Sequence, residues 1–131
     1  MKFLDTTFLI DHQNGESRVE DYLSEHESET LVTSTINLKE IAVGRFLIQS
    51  PTPTQQDIRN DFQWVRVEPY LLSHGLEAAE IEAELREAGE YHEKLATDIL
   101  LAGVANDLGA PVVTDNTKDF EKFERIEVES Y

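Results

Sequence analysis

Short apolar runs rich in β-branched residues alternate with longer stretches of helical periodicity, and no other feature limits the fold so tightly. The short runs are Lys2–Leu4, Thr30–Thr33, Trp64–Val67 and Val112–Thr114. Between them, apolar residues recur every three or four positions, as on one face of a helix. Thr6–His12 ends near Asn14-Gly15, and Ser17–Glu27 carries Val19, Tyr22, Leu23 and His26 at helical spacing. Ser34 or Thr35 can cap a helix over Ile36–Ile48. Ser50-Pro51-Thr52-Pro53 reads as a loop, and Thr54 with Asp57 forms a capping-box pattern opening a helix to about Phe62. A long helical stretch from Pro69 to about Ala88 has a potential break at His74-Gly75. Ala96–Leu108 is apolar nearly all round and stops at Gly109, so it is expected to be buried. A short helix over Thr117–Phe123 and an alternating edge strand within Glu124–Glu129 complete the pattern. Strand–helix alternation of this kind specifies an α/β fold with a mainly parallel sheet.

With 131 residues, one domain spanning 1–131 is expected. Cysteine is absent, which excludes disulfide scaffolds, Cys-ligated zinc and cysteine nucleophiles. No secretion signal is expected at the N-terminus. The longest apolar run, Ile99–Ala105, is too short to span a bilayer. An intracellular, cytoplasmic protein with no membrane partner is the expectation. Twenty-seven acidic residues against 11 basic ones give a net charge of −16, while 40% of residues are hydrophobic and periodically placed. That combination fits a globular protein with an acidified surface better than a disordered chain. Surfaces of this kind suit a salt-rich cytoplasm, such as that of a halophilic archaeon, where the Debye length falls to about 3 Å at 1 M. Loose, charge-driven binding to nucleic acid is disfavoured.

Parallel α/β sheets build their sites beyond the carboxyl ends of the strands. Four segments put carboxylates just after strands or within early helical turns: Asp5, Glu40, Asp98, and the stretch Thr114-Asp115-Asn116-Thr117-Lys118-Asp119-Phe120. A carboxylate placed where a buried strand meets a helix costs desolvation energy and needs a partner or a task. Carboxylates converging in one crevice repel, and some take up protons unless a cation joins them. Oxygen-only ligands suit Mg²⁺ or Mn²⁺, which can turn water into a nucleophile for phosphodiester hydrolysis. Each position also has a plain structural role open to it. Asp5 can cap the helix at Thr6, Glu40 can be a solvated helix residue, Asp98 a helix-start acid kept ionised by the dipole, and Asp119 a turn residue.

The stretches "FLDTTFLID" (3–11), "TSTINLKEIAVG" (33–44), "LATDILLAGVANDLGAPVVTDNTKDF" (95–120) and "FERIEVES" (123–130) together resemble the PIN-domain family, and most closely its VapC-type toxin ribonucleases. The resemblance implies a three-layer α/β/α sandwich around a parallel sheet of four or five strands. It implies Mg²⁺- or Mn²⁺-dependent cleavage of RNA, leaving 3′-hydroxyl and 5′-phosphate ends. By position, Asp5 and Asp98 are similar to direct metal ligands, and Glu40 to an acid acting through water or on a second ion. Asn116 stands uncharged in the fourth motif, so Asp119, or else Asp115, would supply the remaining carboxylate. Thr6 and Thr114 resemble hydroxyls that orient the site. A VapB-like antitoxin and a homodimer are the implied partners. A non-catalytic PIN-fold binding module and an RNA-processing nuclease without a toxin role are the alternatives. A haloacid-dehalogenase-type phosphatase would need Asp where Thr7 stands, and a receiver domain would need Asp after a middle strand.

The remaining features read as structural. The acids of Glu77–Glu93 form a solvated face. His12, His26, His74 and His92 lack metal-ligand spacing and are expected to be surface or half-buried residues. Phe46, Leu47 and Trp64 are expected in the core or at a dimer face. Lys39, Arg45, Lys94 and Lys118 lie nearest the acidic motifs in sequence and are candidates for contact with RNA phosphates.

Overall fold

Five short strands form one all-parallel sheet in the order β3-β2-β1-β4-β5. The computed structural model describes all residues, 1–131. The strands are β1 (Lys2–Leu4), β2 (Leu31–Ser34), β3 (Arg66–Glu68), β4 (Val112–Val113) and β5 (Val128–Glu129). Seven helices connect them: α1 (Thr6–Gln13), α2 (Ser17–Glu25), α3 (Thr35–Ile48), α4 (Gln55–Asp61), α5 (Leu72–Glu87), α6 (Ala96–Leu108) and α7 (Thr117–Phe120). A 3₁₀ turn, Glu93–Leu95, leads into α6.

Side-chain alternation along the strands divides the interior into two cores. Phe3, Val32 and Val112 pack with Ala78, Ile81 and Leu85 of α5 and the apolar faces of α6 and α7. Leu4 and Val113 face the other way, onto Phe8, Leu9, Val19, Tyr22, Ile41 and Ile58 from α1 to α4. The sheet is therefore the middle of three layers, with helices on both faces.

The chain winds from β1 to β3 in one direction and from β4 to β5 in the other. The order reverses between β1 and β4, and that switch point opens a crevice at the carboxyl edge. Register fixes what faces it. Phe3 pairs with Val112 and Leu4 with Val113, so Asp5 and Thr114 emerge side by side.

Several local expectations shift in detail. α5 runs unbroken through His74-Gly75 and begins at Leu72 rather than Pro69. His74 explains the continuity: it is buried, 1% exposed, and its Nδ1 accepts the Leu71 N–H at 3.0 Å, satisfying a helix-start donor. Its Nε2 lies 3.3 Å from Asp107 on α6. Phe46 and Leu47 are outside the core, with Leu47 80% exposed. Trp64 is half-buried and stacks on His12. The two capping boxes, Ser34 with Asn37 and Thr54 with Asp57, are formed.

Candidate metal centre

Asp5 ends β1 and is 4% exposed. It occupies the N-cap position of α1 yet makes no side-chain cap hydrogen bond. Its Oδ2 instead accepts the Thr114 hydroxyl at 2.9 Å and the Thr7 hydroxyl at 3.4 Å. Burial raises its pKa, opposed first by the Thr114 bond and then by the nearby backbone of Thr6 and Thr7.

Each of these hydroxyls has its direction fixed from behind. The Asn116 N–H donates to Thr114 Oγ1 at 2.9 Å, and the Asp115 N–H donates to Thr7 Oγ1 at 3.1 Å. Each hydroxyl keeps its single proton to donate; Thr114 gives the shorter bond to Asp5, and the two hydroxyls also lie 3.3 Å from each other.

Asp98 stands in the first turn of α6, half-buried. Its pKa is pushed up to about 7, first by burial and then by the negative charges of Asp5, Asp119 and Glu40. The helix dipole expected to keep it ionised is outweighed by this crowding. Glu40, on the second turn of α3, is raised too; its carboxyl is partly desolvated and feels Asp5, although the residue as a whole is exposed. Asp119 accepts the Asn116 side-chain amide at 2.8 Å and lies 3.8 Å from the Lys122 ammonium. Asp98 thus feels acids from three other segments of the chain, and Glu40 feels Asp5.

Asp115 lies outside this group. Arg18 Nη1 pairs with it at 3.0 Å, holding its carboxyl below the usual carboxylate range, while Nη2 of the same guanidinium reaches Asp11 at 2.6 Å. Asn116 contributes through its amide, and Thr6, the first residue of α1, reaches toward α3, with its hydroxyl 3.4 Å from Glu40 Oε1. Thr7, Arg18 and Asn37 were not singled out by sequence. Thr7 could have been read from the doubled threonine after Asp5. Asn37 carried a signal as the third residue after a Ser cap, and Arg18 carried none.

The crowd stops short of a preassembled clasp, since no three acidic or histidine side chains are spaced to ligate one ion. The donor set nevertheless fits a hard divalent cation. Mg²⁺ is commonly held by one or two carboxylates and several waters, and mutual repulsion among Asp5, Asp98 and Glu40 is what such a cation relieves.

A doubly wound parallel sheet whose switch-point crevice gathers acids from four chain segments defines an α/β protein of the acid-site class. The chain belongs to the PIN domain family, whose model matches residues 2–126. Among solved structures, it is similar to a chain of the DNA-bound VapBC of Salmonella typhimurium, at 25% identity and TM-score 0.85, covering 99% of this chain and 98% of that one. VapBC2 of Rickettsia felis, bound to a promoter DNA fragment, is similar at 20% identity and TM-score 0.84, with 99% and 98% covered. Mycobacterium tuberculosis VapC20, a sarcin–ricin loop cleaving toxin, is similar at 18% identity and TM-score 0.60, with 97% and 99% covered. No curated protein matches the sequence. No helix is long and apolar enough to cross a membrane.

Proposed function

We propose that the chain is a VapC-type toxin ribonuclease of the cytoplasm that hydrolyses RNA with Mg²⁺ or Mn²⁺. In this reading it acts as a homodimer and is restrained by a cognate VapB-like antitoxin. One observation carries the reading: Asp98 is raised to about 7 by burial together with Asp5, Asp119 and Glu40. Crowding of acids from separate segments at the switch-point edge of a parallel sheet is the arrangement a cation-binding site uses.

Asp5 and Asp98 would hold the ion, with Glu40 and Asp119 acting through water or on a second ion. When bound, the divalent ion supplies Lewis acidity toward water and neutralises charge on the phosphodiester. The protein's own groups do the positioning. Thr114 and Thr7 brace Asp5 through its Oδ2, leaving Oδ1 without a side-chain donor. Asn116 holds Asp119 against drifting toward Lys122 and solvent. The RNA strand would enter along the open carboxyl edge, with water attacking phosphorus in line and the P–O3′ bond breaking as the 3′ oxygen gains a proton.

The test is cleavage of labelled RNA with Mg²⁺, repeated with EDTA and with Asp5→Asn. Loss of cleavage in both controls supports the reading. Cleavage surviving both points to contamination, and no cleavage under any condition favours a binding module. Growth arrest on expression, relieved by co-expression of a small neighbouring gene product, separates a toxin from an RNA-processing nuclease.

A further inference from the structure

Asn37 is wholly buried on the first turn of α3, yet every polar atom of its side chain is engaged. Its Oδ1 accepts the Ser34 hydroxyl at 2.7 Å and the Ser34 backbone N–H at 3.2 Å. A backbone N–H can only donate, so the amide oxygen must face Ser34 and the flipped orientation is excluded. The Nδ2 group therefore points the other way, donating to Thr6 Oγ1 at 2.9 Å. Thr6 Oγ1 is then an acceptor toward Asn37, and its one proton is left for the oxygen on its other side, Glu40 Oε1 at 3.4 Å.

We propose that Asn37 is a positioning residue for Glu40: its locked amide sets the direction of the Thr6 hydroxyl so that the proton faces the Glu40 carboxylate. The claim rests on the reading of Glu40 as a member of a cation-dependent nuclease site. The polarity runs one way, from the Ser34 main chain through Asn37 and Thr6 to Glu40. It joins the cap of α3 to the first turn of α1, the residue after Asp5. Among the three threonines of the crevice, Thr6 accepts from a side-chain amide, whereas Thr7 and Thr114 accept from backbone N–H groups and lie 3.3 Å from each other. This makes the arrangement at Glu40 separable by mutation from the one at Asp5. A residue that merely capped α3 would need only its Oδ1, and the donor half of the amide would have no task.

Asn37→Asp keeps the shape and the acceptor but loses the donor, and Thr6→Val keeps the shape but loses the hydroxyl. Mn²⁺ affinity is measured by calorimetry for each single variant, the double variant and Thr6→Ser. In parallel, NMR follows the Asn37 side-chain amide protons in metal-free wild type and Thr6→Val, which removes no buried charge partner and keeps the test open if Asn37→Asp fails to fold. Each single variant should weaken Mn²⁺ binding by about 10-fold, as loss of a second-layer partner does at other metal sites. The double variant should be no worse than the weaker single, and Thr6→Ser should recover what Thr6→Val loses. In metal-free protein, Thr6→Val should shift the Asn37 amide protons and speed their exchange.

Additive losses overturn the proposal. So does a loss for Asn37→Asp with none for Thr6→Val, which leaves Asn37 as a cap alone. Unmoved amide protons overturn it as well. If wild type binds no Mn²⁺ while Thr6→Val still moves those protons, the nuclease reading falls and only the bond from Asn37 to Thr6 stands.

Discussion

Asp98 is where burial and charge meet most sharply, and its behaviour can be read through pH. Its pKa in the folded protein is about 7 against an ordinary 3.8. The folded state therefore binds the proton more tightly than the unfolded chain between those values. Stability of the metal-free protein from this group is fullest below about pH 4 and is lost as pH rises through 7. Asp5 and Glu40, both raised, act in the same direction. Glu129, whose burial is outweighed by the bonds from the Lys2 ammonium and the Tyr22 hydroxyl so that its pKa is lowered, acts oppositely. A difference measurement isolates the site. Asp98→Asn should melt higher than wild type at pH 8 without metal, with the gap closing as pH falls toward 4. Millimolar Mg²⁺ should raise the wild-type melting temperature at pH 8 and leave the variant nearly unchanged. In the cleavage assay the same substitution should lower the rate by more than about 100-fold, because loss of an outer partner alone costs about 10–100-fold in metal affinity or activity. Growth arrest should disappear with it. A variant that still arrests growth counts heavily against Asp98 as a ligand.

Among the elements, α5 and α6 show how closely packing controls the site. At Gly103 of α6 an added Cβ would lie 2.5 Å from the His74 carbonyl oxygen and 2.9 Å from Ala78 Cβ. Those atoms belong to the α5 backbone and a buried methyl, so neither can swing aside and the helices must part. Gly103→Ala should cost about 1–3 kcal/mol, a drop in melting temperature on the order of 5–10 °C by thermal unfolding. Because α6 carries Asp98, Mn²⁺ affinity should fall as well. Helix existence was legible in the sequence because it follows from periodicity and caps, as with Thr54–Asp57 and Gly109. Edge strands were less so. Trp64–Val67 looked like the third strand because it is apolar, but pairing begins at Arg66, since Val65 turns into the core before the ladder starts. Glu124–Glu129 alternates throughout, yet only Val128 and Glu129 pair. The unbroken start of α5 depends on a buried imidazole reaching the Leu71 N–H, which no local pattern announces. For the site, the acids were visible one by one. Their mutual approach depends on strand order, and the orientation of Thr6 by Asn37 depends on two helices meeting 31 residues apart in sequence.

The whole molecule carries its net charge of −16 unevenly. Of its 11 basic residues, seven are committed to ion pairs: Lys2, Arg18, Arg45, Arg66, Arg86, Lys122 and Arg125. Lys39, Arg59, Lys94 and Lys118 are not, and three of these four flank the acidic segments, beside Glu40, before Asp98 and beside Asp119. Self-repulsion of such a surface is relieved by salt, so the melting temperature should climb between 0.1 and 2 M KCl as the Debye length shrinks from about 10 to 2–3 Å. The same distribution sets how RNA can approach. A basic nuclease making 6–10 phosphate contacts loses about 10³–10⁵ in affinity between 50 and 200 mM salt through counterion release. In the proposed ribonuclease, the three unpaired lysines nearest the acids in sequence, Lys39, Lys94 and Lys118, would supply the local attraction while the rest of the surface repels. The KM for RNA should therefore change by less than about 10-fold over that salt range at fixed Mg²⁺. Replacing Lys39, Lys94 and Lys118 by Ala should raise KM several-fold with little change in kcat, since phosphate contacts made equally in ground and transition states leave the chemical step alone. A steep fall in affinity with salt would show that a basic surface elsewhere, on Arg59 or on a partner chain, carries the RNA instead.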